Sequence, residues 1–151
     1  MLDGIDRKIL KALQRDGRLS QLELADEIGL SPTPCARRVK KLEAEGYIRG
    51  YTALIDEEML GFGFSIFVSV RLDKQVDERL VTFEESVARY QEVVDCWLMT
   101  GGFDYLLRIA VSDLHEFERF LTQKLTKIEG VASIESSIPL RRVKESVARL
   151  M

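Results

Sequence analysis

The sequence predicts an α+β protein in two parts, three short helices followed by a run of mixed strands and helices. Three observations predict it. Apolar residues recur at helical spacing up to about residue 46, and at alternate positions from residue 64 onward. Glycines and capping residues punctuate the first third at short intervals. A length of 151 residues accommodates two small domains. Their expected bounds are 1–50 and 63–151, with residues 51–62 as strand and linker between them.

The first helix is expected over about 3–16, with Ile5, Ile9, Ala12 and Leu13 in one stripe and Gly17 as its stop. Ser20 caps the second, Glu23 three residues on completes a capping box, and Leu22, Ala25 and Ile28 form the buried face. Gly29 supplies a turn in a backbone region closed to most residues. Ser31 caps the third helix, and Pro32 opens it where a missing N–H removes no hydrogen bond. Gly46 ends it. Tyr47 to Ile55 then alternates as a strand, acting as a wing or an exit linker.

Past Gly61 and Gly63, Phe64, Ile66, Val68, Val70 and Leu72 alternate with Ser65, Phe67, Ser69 and Arg71, a half-buried strand. Val76, Leu80, Phe83 and Val87 mark an amphipathic helix. Residues 93–100 and 105–111 form two further strands joined through GGFD, where a glycine pair suits a tight hairpin turn. Leu114, Phe117, Leu121, Leu125 and Ile128 give another helix, Gly130 stops it, and 131–140 is the last strand. The order β-α-β-β-α-β is ferredoxin-like, an antiparallel sheet with two helices on one face. The uncovered face carries several apolar residues, which predicts pairing with another copy.

The third helix has two faces. Cys35, Val39 and Leu42 fall in a narrow arc for packing. Thr33, Arg37, Lys40 and Ala44 lie opposite at ~100° per residue, flanked by Arg38 and Lys41. A one-signed charge run on the third helix of a tri-helical unit, just after a tight turn, is a helix-turn-helix arrangement for the DNA major groove. Ser31, Thr33, Arg37, Arg38, Lys40 and Lys41 are therefore the expected DNA contacts. The net charge of −3 and pI near 5.3 do not oppose this. Residues 1–51 hold ten Lys/Arg against eight Asp/Glu, and the rest twelve against seventeen, so +2 sits beside −5.

Other classes find little support. No apolar run is long enough to span a bilayer, and MLDGIDRKIL lacks a signal-peptide core, so a cytoplasmic, nucleoid-associated protein is expected. Cys35 and Cys96 fall in different parts and suggest no disulfide; Cys35 belongs to a core and Cys96 to a buried strand or an interface. His115 has no partners at metal spacing and reads as a surface residue. No phosphate loop or nucleophile–base set appears, which disfavours an enzyme, although ferredoxin-like domains do host catalysis. No metal or cofactor is expected.

The segments LSPTPCARRVKKLEAEGYIRGYTALID and CWLMTGGFDYLL together resemble the Lrp/AsnC (feast/famine) regulators of bacteria and archaea, nearest their leucine-responsive branch. The resemblance runs through nearly the whole chain. It implies a transcription regulator with a DNA-binding head and a C-terminal domain for amino-acid-responsive assembly. It also implies homodimers, a homo-octamer built as a tetramer of dimers, and double-stranded DNA and a free amino acid as partners. The effector, leucine- or methionine-like, would bind at the dimer–dimer contact around Met99, Thr100, Gly101, Gly102 and Asp104. Backbone N–H groups at the glycines would take its carboxylate and Asp104 its ammonium, with Met99 and Leu114 beside the side chain. Ser133, Ser136, Ser137 and Ile138 would add contacts. Gly102 departs from the polar or acidic residue that members commonly place there. An architectural DNA-compacting protein without an effector is the alternative within DNA binding.

Overall fold

The computed structural model describes residues 1–146, 148 and 149. It divides into two compact units, one of Met1–Leu54 with the C-terminal segment from Lys144, the other of Ile55–Val143.

The first unit holds α1 (Gly4–Arg15), α2 (Gln21–Ile28) and α3 (Pro32–Ala44). Asp3 caps α1 through the N–H groups of Ile5 and Asp6, and Asp6 returns a bond to the Asp3 N–H. Ser20 and Glu23 make the expected capping box on α2. Gly29 follows at φ 77°, a left-handed position that closes α2 against the carbonyls of Ala25 and Asp26 and turns the chain into α3. The core is Ile9, Ala12, Leu24, Ala25, Cys35 and Leu42. Two expectations fail here. Leu22 is 69% exposed and Leu24 takes the buried position, because the inward stripe of α2 passes through 24, 25 and 28. Residues 47–55 form no strand, so no wing is built; the segment is largely exposed, held by Tyr51 donating to Glu43 at 3.0 Å.

The second unit has β1 (Phe64–Leu72), α4 (Asp77–Val87), β2 (Val93–Leu98), β3 (Tyr105–Val111), α5 (Leu114–Gln123), a short 3-10 turn (Leu125–Lys127) and β4 (Val131–Ser137). The antiparallel sheet runs β2-β3-β1-β4. Ile66, Val68, Val70 and Leu72 point to the helix side with Leu107 and Ile109, where Phe83, Val87, Phe117 and Phe120 meet them. Phe83 stacks on Tyr105 with centroids 4.4 Å apart. The expected second helix is broken at Lys124, and Leu125 and Ile128 reach the core through the 3-10 turn instead. The last strand ends at Ser137, and Ile138 and Leu140 are exposed beyond it.

The opposite face of the sheet is open. Phe67, Ser69 and Arg71 lie on it with Leu106, Arg108, Asp95 and Trp97 by strand register. Glu57, from the turn before β1, accepts from Arg108 at 2.9 and 3.1 Å, and Arg108 also donates to Asp95 at 3.1 Å.

Candidate functional site

The head presents α3 as its charged surface. Packing of Cys35 and Leu42, both 1% exposed, fixes the rotation of the helix. That rotation turns Thr33, Arg37, Lys40 and Lys41 outward, all exposed, with Ser31 exposed at the N-cap position. Ser31 makes no capping bond with its side chain, so its hydroxyl stays available. Lys41 lies 3.8 Å from Glu45 one turn on, a loose exposed pair.

Arg38 is placed differently from its neighbours. It donates to Asp3 at 2.6 Å and to Asp6 at 2.7 Å, tying α3 to the start of α1. Asp6 is only 2% exposed, so this guanidinium neutralises a buried carboxylate. The Asp6 N–H and Arg38 together hold the Asp3 carboxyl below its ordinary value. The structure thus spends Arg38 on the frame and leaves Arg37 and Lys40 with no ion pair among the described residues.

The Met99–Asp104 segment closes the β2–β3 hairpin and stands exposed from Met99 to Gly102. Its base is pinned by Met99 N–H to the Asp104 carbonyl at 2.8 Å and Asp104 N–H to the Val70 carbonyl at 2.9 Å. Gly101 has φ 108°, which a side chain would strain. The N–H groups of Thr100, Gly101, Gly102 and Phe103 find no protein acceptor among the described residues. These are backbone donors of the kind that can take an anion.

Asp104 does not face this opening. It is 4% exposed; Oδ2 accepts the Leu72 N–H at 2.7 Å and Oδ1 the Gln75 amide at 2.5 Å. Each oxygen accepts a bond from the chain itself and the group is buried, so the carboxylate expected to meet an ammonium is not presented at the exposed part of the loop. Leu114 is also removed from the loop. It begins α5 beyond the far end of β3, about 20 Å along a seven-residue strand from Asp104. Ser133 pairs with Arg71 and lies near the loop, whereas Ser136 and Ser137 pair with Val68 and Phe67 toward mid-sheet and Ile138 lies past them.

One residue near the loop escapes a reading of the sequence. Arg71 donates its Nε to the Gly102 carbonyl at 2.8 Å, and its guanidinium carbon stands 5.2 Å from the Phe103 ring centroid. In sequence it is only a polar position in an alternating strand. The signal that finds it is register, since Val70 and Leu72 both bond to Asp104 and so bring position 71 against the loop.

Of the two thiols, Cys35 is in the head core, and Cys96 lies exposed on the edge strand β2, not buried as one expectation had it. His115 is exposed. Among the described residues no cluster of His, Cys, Asp or Glu could hold a metal ion, and no helix is long and apolar enough to cross a membrane.

Comparison with known proteins matches both units. Residues 2–49 match the family model for winged helix-turn-helix DNA-binding domains, and residues 65–148 the model for the Lrp/AsnC ligand binding domain. The chain is 51% identical over 142 residues to the Bkd operon transcriptional regulator of Pseudomonas aeruginosa, covering 94% of this chain and 93% of that protein. It is 39% identical over 145 residues to the leucine-responsive regulatory protein of Escherichia coli K12, covering 96% and 88%. Among solved structures, a Neisseria meningitidis transcriptional regulator in complex with L-Met superposes with a TM-score of 0.93 at 37% identity, covering 97% of this chain and 95% of that one.

Proposed function

Because the chain belongs to the Lrp/AsnC family of transcription regulators, we propose that a free amino acid bound at the Met99–Gly102 loop controls how its heads occupy DNA. The observation that carries the reading is the loop itself: exposed, closed by a pinned base, and lined by N–H groups without protein acceptors. An α-carboxylate is the anion that matches it. The L-Met complex of the Neisseria relative supports the same ligand class. An apolar effector side chain of leucine or methionine size suits the neighbouring Met99 and Leu98, 43% and 60% exposed. Ser133 is the nearest of the β4 candidates. Asp104 holds the loop from beneath, and Leu114, Ser136, Ser137 and Ile138 reach an effector only if a second copy brings them.

DNA is engaged by α3, with Arg37, Lys40 and Lys41 as cations and Ser31 and Thr33 as hydroxyl donors to bases and phosphates. Two copies pair through the open sheet face, where Phe67, Leu106 and Trp97 lie, and dimers assemble further into a tetramer of dimers in the cytoplasm, on the nucleoid. Paired heads would read half-sites about one helical turn, ~34 Å, apart or a multiple of it. An effector at the seam between dimers then changes occupancy by favouring one assembly.

The test is a thermal-shift titration of the twenty amino acids with light scattering alongside. Leucine or methionine is expected to raise the melting temperature and shift particle size. No response to any amino acid, together with intact DNA binding, would leave an architectural DNA-compacting protein as the better account.

A further inference from the structure

We propose that Arg71 is the residue that receives the effector's α-carboxylate, and that Gly102 keeps its guanidinium open for this. The inference rests on the amino-acid reading of the loop given above.

Arg71 is a cation whose contacts tie it to the loop. Its Nε is committed to the Gly102 carbonyl and its flat face to the Phe103 ring, which together hold the guanidinium against the hairpin. Among the described residues the two terminal nitrogens have no hydrogen-bond partner. No carboxylate among the described residues forms an ion pair with Arg71, although it is exposed on a face that also holds Asp95 and Glu135. The remaining edge is a fork of parallel N–H groups, the geometry that takes a carboxylate through two bonds. It stands at the exposed hairpin of residues 99–102, held there by the Gly102 carbonyl. Ser133, the cross-strand neighbour of Arg71 on β4, borders the same spot.

Gly102 completes the argument. A Cβ built there would stand 3.7 Å from an Arg71 terminal nitrogen, ordinary contact that a larger side chain would extend across the fork. An acidic side chain at 102 would satisfy the guanidinium internally and remove its charge from the ligand. Glycine leaves it unpaired. Asp104, buried and bonded through each oxygen inside the domain, forms no ion pair with Arg71.

The experiment separates carboxylate recognition from a structural effect. Calorimetric titration of the full chain with L-leucine and L-methionine is compared with titration by leucinamide and methioninamide, which keep side chain and ammonium but lose the carboxylate. Wild type should prefer each acid over its amide by about 10- to 100-fold. Arg71→Gln should weaken acid binding by a similar factor while leaving amide binding within about twofold, so the ratio collapses. Arg71→Lys should restore part of it. Gly102→Asp, with Arg71 intact, should collapse the ratio too, which keeps the idea testable if Arg71→Gln fails to fold. Unchanged acid-to-amide ratios in Arg71→Gln, or in Gly102→Asp if Arg71→Gln does not fold, overturn the assignment while the effector reading stands. Wild type binding neither amino acid overturns both.

Discussion

Replacing Asp104 by alanine should destabilise the second unit rather than simply remove a ligand contact. The carboxylate is 4% exposed and joins three elements: the end of β1 through the Leu72 N–H at 2.7 Å, the approach to α4 through Gln75 at 2.5 Å, and the base of the hairpin through its own backbone. Alanine leaves the buried Leu72 N–H without an acceptor, a loss of about 1–3 kcal/mol. The bond to Gln75 adds on the order of 1 kcal/mol, kept low because Gln75 is exposed. A total of roughly 2–4 kcal/mol corresponds to a fall of about 10–20 °C in melting temperature for a unit the size of Ile55–Val143. Asp104→Asn preserves the shape and an oxygen for Leu72, and Gln75 can turn its amide to match, so it should lose under about 1.5 kcal/mol. Urea unfolding at fixed protein concentration, followed by the fluorescence of Trp97 (the only tryptophan), measures both. An alanine variant within about 0.5 kcal/mol of wild type would refute the pin and return Asp104 to the surface.

Arg38→Ala strands the buried Asp6 carboxylate and should lower head stability by about 2–3 kcal/mol, read by helical circular dichroism during denaturation; an unchanged midpoint would assign Arg38 to DNA instead. Arg37→Ala should leave the fold intact, weaken operator binding and reduce the salt slope of log K by about 1, and a gel-shift titration with wild-type slope and affinity sinks its role. Glu57→Gln tests the clamp on Arg108 by pH. Hydrogen bonding from Arg108 outweighs burial and holds the Glu57 carboxyl below its ordinary value. A carboxylate depressed in the folded state adds stability above the unfolded value of about 4.3 and loses it as pH falls through the lower folded value. The stability gap between wild type and Glu57→Gln should be flat from about pH 8 to 5 and narrow as pH falls below about 4.3; a gap that does not narrow anywhere on the acid side contradicts the clamp.

The order of elements was legible because each rests on a local signal. The capping box at Ser20, the left-handed turn at Gly29, and the alternation through β1 all act within a few residues. What local pattern left open was phase and company. Leu22 and Leu24 compete equally for the buried face of a two-turn helix, and only packing against α1 and α3 selects Leu24. Residues 47–55 alternate like a strand but have no neighbour to bond with, so the pattern builds no strand. Leu125 and Ile128 continue the helical spacing of α5, yet the chain tightens after Lys124 and delivers the same side chains by another route.

The charged residues follow one rule in both units. In the head, Arg38 looked like Arg37 and Lys40, one basic residue among four in ten positions, but its position on the wheel lies nearer the packed arc than the exposed one. It therefore meets α1, and α1 places Asp3 and Asp6 there to meet it. In the second unit, Asp104 looked like the acidic tip of a glycine turn, and strand alternation alone would put it on the face of Leu106 and Arg108; it lies just before β3, where the Leu72 N–H and the Gln75 amide draw its carboxylate under the hairpin. In each case a charge is consumed by folding, and its cost of burial is met by a partner that the chain supplies. The charges left for recognition are those whose phase keeps them outside: Arg37 and Lys40 on α3, and Arg71 on the open face of β1. Function here separates from stability by which partners the fold brings to a charged side chain, more than by residue type.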